Sequence, residues 1–122
     1  MQNAITWFDI PSTDFERAVT FYSTILDAPV RVQEFNGQTM GFFPMEGKEG
    51  VGGALMPPME NFKPSAQGTH VFFPVKDIDK AASKVEQAGG KIAVPKYMLP
   101  DVGWIVMILD TEGNSVGLHS PK

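Results

Sequence analysis

Residues 69–90 read THVFFPVKDIDKAASKVEQAGG. Thr69 to Val75 is rich in β-formers and predicts a strand. Asp77 suits a helix N-cap, and Ile78, Ala81, Ala82, Val85 and Ala88 recur at helical spacing as a buried stripe. Gly89-Gly90 stops the helix, because glycine accepts the left-handed conformation a helix end needs. Residues 6–27, TWFDIPSTDFERAVTFYSTILD, run through the same order. Asp77 lies 63 residues after Asp14, and that offset also sets Trp7 against His70. Such self-similarity marks a duplicated supersecondary unit.

Working outward, Ala4 to Ile10 is the first strand, with Ile5, Trp7 and Asp9 on one face. Thr13 and Glu16 fit a capping box, and the stripe Phe15, Ala18, Val19, Tyr22, Ile25 and Leu26 turns the first helix toward a core. Val30–Phe35 and Gln38–Phe43 form a hairpin about Asn36-Gly37, residues that tolerate positive φ. Val51–Met56 is a fourth strand, and Pro57 to Gly68 is the linker. After the second helix come strands at Lys91–Val94, Trp104–Leu109 and Ser115–His119, with a loop holding Pro95 and Pro100. Each half is βαβββ, module one covering about 4–57 and module two about 69–120 of a single 1–122 domain. The fold class is α+β. One such unit leaves a sheet face uncovered, so two must pair, within one chain or between chains.

Composition sets bounds. Apolar residues at 43% and charged residues at 20% of 122 residues are ordinary for a folded domain. No apolar run approaches the roughly 18–20 residues of a membrane span, and MQNAITW lacks the order of a signal peptide. A cytoplasmic location without a membrane partner is expected. The absence of cysteine leaves metal chemistry to histidine and carboxylates. A net charge of −4 without a Lys/Arg cluster speaks against nucleic acid.

Three segments carry a resemblance: FDIPSTDFERAVTFY, HVFFPVKDIDKAASKVEQAGGKI and LDTEGNSVGLHS. In this order and spacing they resemble the vicinal oxygen chelate superfamily, which includes glyoxalase I, bleomycin-resistance proteins and extradiol dioxygenases. The resemblance implies tandem βαβββ modules whose mainly antiparallel sheets form a cupped cleft, and it implies a homodimer. Metal-dependent members draw four ligands from the first and last strands of their modules. Carried over, the first-strand positions are Trp7 and His70. Matching Pro57 with Pro121 makes the last-strand positions Gly53 and Gly117. Only His70 offers a metal-binding side chain, whereas a catalytic metal needs about three protein ligands. The expected cofactor is therefore none, and the expected partner a small organic ligand.

The ligand-binding candidates are Trp7, Asp9, His70, Phe72 and His119, with Met56 as a further wall and Gly52, Gly53 and Gly117 removing bulk. His70 is the candidate catalytic residue, as a base or orienting donor, the roles histidine serves in proton transfer near neutral pH; it also reads as a cleft-wall histidine with satisfied nitrogens. Asp9 in a strand needs a donor or water. Alternation points Asp9 and His119 to the face of Trp7 and Gly117. With His70 they form the two-histidine, one-carboxylate set of an alternative enzyme reading, a lyase, isomerase or dioxygenase using one divalent metal ion.

Overall fold

The computed structural model describes residues 3–121. Module one comprises β1 (Trp7–Ile10), α1 (Phe15–Ile25), β2 (Arg31–Phe35), β3 (Gln38–Phe42) and β4 (Gly52–Leu55). Module two repeats the order with β5 (Phe72–Pro74), α2 (Ile78–Val85), β6 (Lys91–Leu99), β7 (Gly103–Leu109) and β8 (Ser115–Ser120). Each module has its own four-stranded mixed sheet, ordered β1-β4-β3-β2 and β5-β8-β7-β6. The first pair in each order is parallel and the other pairs are antiparallel.

Strand alternation fixes what each sheet covers. Phe8 and Ile10 turn inward while Trp7 and Asp9 turn outward. The inner faces meet α1 and α2, which pack on one another, and both modules contribute to one core. Its centre is aromatic: Phe43 and Phe73 have ring centroids 4.9 Å apart, with Tyr22 at 5.2 Å and 5.5 Å from them. Phe21, outside the predicted stripe, is also buried. A side chain at Gly90 would meet its ring, so Phe21 reaches from α1 to the turn between α2 and β6.

The start of α1 departs from the capping-box reading. The N-cap is Asp14, whose carboxylate accepts from the Arg17 amide at 3.1 Å. Glu112, from the β7–β8 turn, takes the place expected of Glu16. Its Oε1 accepts from the Thr13 amide, the Thr13 hydroxyl and the Asp14 amide at 2.8–2.9 Å. The turn is itself tied together, since Asp110 Oδ1 accepts from the amides of Glu112 and Asn114. Asn114 Nδ2 donates to the Pro11 carbonyl, and the Tyr22 hydroxyl donates to Asp110 Oδ2 at 2.6 Å. The LDTEGN segment is thus a clasp between modules.

The sixth strand is longer than the sequence reading allowed. It continues through Pro95 to Leu99, with register shifts between Ile92 and Val94 and between Val94 and Tyr97. Proline is tolerated because β6 is an edge strand whose outer side has no ladder to complete. Asn36 and Gly37 take φ of 52° and 79°, as a primed hairpin turn requires.

Candidate ligand site

The outer face of module one begins at Trp7, whose Nε1–H donates to Asp9 Oδ1 at 2.9 Å. Two-residue spacing puts both side chains on one face, and the indole supplies the donor Asp9 requires. Asp9 is itself exposed, and among the described residues its Oδ2 has no hydrogen-bond donor. Trp7 meets Phe42 edge-on at 6.0 Å, Phe42 meets Phe35 at 5.8 Å, and the Arg31 guanidinium lies 5.3 Å from the Phe42 ring centre. Arg31, Phe35 and Phe42 were missed in the sequence. Period-2 alternation from Arg31 through Phe42 is the signal that places them beside Trp7.

On module two, His70 is exposed just before β5, its ring 6.4 Å from that of Phe72. Phe72 pairs with Gly117 and its ring occupies the space a side chain at Gly117 would fill. His119 Nε2 lies 2.7 Å from the Val102 carbonyl. A carbonyl only accepts, so Nε2 carries the hydrogen, and in the neutral ring Nδ1 is the acceptor. Met56 is buried, 8% exposed, and is not an open wall.

Strand register corrects one equivalence. Trp7 pairs with Gly52 and Asp9 with Ala54 in module one, while Phe72 pairs with Gly117 in module two. The 63-residue offset therefore holds through the last strands and makes Ala54, not Gly53, the counterpart of Gly117. The Pro57–Pro121 match fails because β8 runs on to Ser120, whereas β4 ends at Leu55. Gly53 faces the core, where an added Cβ would enter the Phe8 ring.

Within one chain these residues stand in two groups, Trp7 and Asp9 on the first sheet and His70, Phe72 and His119 on or beside the second. Among the described residues no three His, Asp or Glu side chains gather where they could hold a metal ion. The outer faces are apolar as well as polar: Trp7 is 44% and Phe72 49% exposed, with Phe35, Val94 and Leu99 also open.

This fold and this pairing of first and last strands define the Glyoxalase/Bleomycin resistance protein/Dioxygenase superfamily, to which the chain belongs, matching it over residues 4–118. It is 27% identical over 119 residues to the putative glyoxylase CFP32 of Mycobacterium bovis and of Mycobacterium tuberculosis. That match takes in 96% of this chain and 45% of the relatives, so the chain spans about half their length. Among solved structures it is similar to a glyoxalase/bleomycin resistance protein from Albidiferax ferrireducens, with TM-score 0.74, 12% identity and coverage of 97% and 98% of the two chains. A glyoxalase I variant from Zea mays matches with TM-score 0.71 and 20% identity, covering 95% of this chain and 45% of that one. At these identities the structures speak for the fold. No helix among the described residues is long and apolar enough to cross a membrane.

Proposed function

We propose that the chain binds a small organic molecule on its outer sheet faces and that the family's usual divalent metal centre is degenerate in it. The observation that carries this reading is the chemistry at the four equivalent positions. Carried over at the 63-residue offset they fall on Trp7, Ala54, His70 and Gly117, a placement supported by the pairing of Asp9 with Ala54 and of Phe72 with Gly117. An indole, a methyl, an imidazole and a hydrogen atom supply one ligand where about three are needed. Trp7 also spends its only polar hydrogen on Asp9. These residues do not fit a metal. They do fit a mainly apolar site with a few polar anchors: Trp7 and Phe72 as walls, Asp9 Oδ2 and His119 Nδ1 as acceptors, and His70 as an open imidazole.

Exposed aromatic and aliphatic side chains on both outer faces support a homodimer, because apolar surface of this kind is usually covered by a partner. Bringing Asp9 together with the histidines would take a second copy laid across the sheets, because within one chain they stand on or beside separate sheets. The metal-dependent enzyme reading requires such an arrangement.

Metal content of purified protein, followed by titration with zinc, nickel, manganese and ferrous iron, tests the proposal. The expected result is no stoichiometric metal, together with thermal stabilisation by organic ligands that weakens in Asp9→Asn and His119→Ala. Stoichiometric metal that is lost in His70→Ala or Asp9→Ala would overturn it.

A further inference from the structure

A groove of about 1310 Å³ runs between the modules, beside α2 and the 44–50 loop. Its lining shares Trp7, Arg31 and Phe42 with the outer face of module one, but Asp9, His70, Phe72 and His119 are absent from it, so the groove adjoins the outer-face site without coinciding with it. Its floor includes Phe43 and Phe73, rings belonging to the shared core. Arg31, Lys48, Lys76, Lys80 and Lys84 stand around it, against the carboxylates of Asp27, Glu46 and Asp77. The groove is therefore net positive on a chain whose net charge is −4.

The cations hold their partners loosely. Lys80 and Lys84 share Asp27 at 3.8 Å and 3.6 Å, and Lys76 reaches Glu46 at 4.0 Å, all beyond hydrogen-bond length. Exposed pairs of this kind contribute little and exchange readily. Among the described residues, Lys48 has no carboxylate partner, and Arg31 only faces the Phe42 ring. The groove thus combines an apolar floor with a rim of under-used donors.

We propose that this inter-module groove is a second binding site, for an organic anion that carries its carboxylate, sulfonate or phosphate on an aromatic or aliphatic body. The body lies on the Phe43–Phe73 floor and the anionic group meets Lys48 and Lys76 at the rim. The inference rests on the groove's floor and its lysines, not on Asp9, His70, Phe72 or His119, and it stands if the outer-face reading fails.

Amide NMR titration of the labelled full chain with anilinonaphthalene sulfonate tests it. Saturable shifts are expected at Gly47, Val75 and Lys80, which line the groove. Reversing two rim charges, Lys48→Glu with Lys76→Glu, is expected to weaken binding roughly tenfold, with added salt acting in the same direction. Both side chains are exposed, so thermal unfolding should not change. The neutralised pair Lys48→Gln with Lys76→Gln should fall between. The uncharged parent amine should bind more weakly than the sulfonate. Shifts centred on Asp9, Phe72 and His119, no saturable shifts at all, undiminished affinity in the charge-reversed chain, or equal affinity for the uncharged amine would each overturn the proposal.

Discussion

The Glu112 carboxylate grips Arg17 with both oxygens, Oε2 accepting from Nε at 2.8 Å and Oε1 from Nη2 at 3.0 Å. The two side chains are 95 residues apart and join the last turn of module two to the first turn of α1. The Glu112 side chain is fully shielded, whereas that of Arg17 is about half exposed. Burial opposes ionisation of Glu112. Hydrogen bonds from Arg17, Thr111 and the amides of Asp14 and Thr13 outweigh it and hold the carboxyl at about 2, below its ordinary 4.5.

The first prediction is an acid limb of stability. A carboxyl depressed in the folded state contributes fully above its unfolded value near 4.5, and the contribution is lost as pH falls toward about 2. Urea unfolding across this window should show stability declining with acid. Glu112→Gln should cost roughly 1–3 kcal/mol at neutral pH and flatten that limb. An unchanged slope in the variant would assign the acid sensitivity to other carboxylates.

A second prediction concerns the alkaline side. Burial is the main cause that pushes the Tyr22 hydroxyl well above its ordinary value of 10, with the Asp110 charge and hydrogen bond adding to it. A group raised in the folded state favours folding below the unfolded value, and its contribution is lost as pH rises past about 10. Tyr22→Phe should lose roughly 1–3 kcal/mol at neutral pH, because Asp110 Oδ2 then keeps only Asn114 as a donor. The variant should also be less sensitive between neutral pH and about 11. Chemical denaturation at both pH values measures each effect.

The repeat was legible because Asp14 and Asp77 align at one offset and each precedes a 3.6-residue apolar stripe. Cap and stripe each act within a few residues. Glu112 at the α1 cap was not legible, since its partners lie 95 to 99 residues away and Glu16 satisfied the local rule. Pro95 hid the length of β6, because whether a strand lies at a sheet edge is a tertiary property. Equivalence of the last strands was misread by one residue, since prolines beyond a strand mark its exit rather than its register. Of the site, the faces of Trp7 and Asp9 followed from alternation. The hydrogen bond between them and the aromatic row through Phe42 depended on how β1, β4 and β3 align.

Gly53 and Gly117 should respond differently to alanine. At Gly53 the new methyl enters the Phe8 ring, which stacks on Phe43 at 5.5 Å and meets Phe73 at 5.8 Å and has nowhere to turn. Overpacking of this kind costs roughly 1–3 kcal/mol. At Gly117 the obstacle is Phe72, which is about half exposed and can swing outward, so the cost should stay near or below about 1 kcal/mol. Thermal unfolding of the two variants decides the order. A greater loss at Gly117 would mean that Phe72 is pinned, as it would be under a second copy of the chain.

Trp7 gives a direct reading of that second copy. The chain has two tryptophans, and Trp104 is already part-buried under Lys96, whose Nζ lies 4.7 Å from the ring centre. In Trp104→Phe the remaining emission comes from Trp7, 44% exposed on the outer face. If two chains close over these faces, the indole leaves water and its emission should move to shorter wavelength as concentration rises, in step with mass measured by sedimentation. Asp9→Ala should weaken this response, because the carboxylate fixes the indole through Nε1. A dimer that forms without any shift at Trp7 would put the interface elsewhere and leave the outer face of module one open to ligand. A chain that stays monomeric at all concentrations would mean that each sheet face must bind alone, with Asp9 and His119 acting in separate sites.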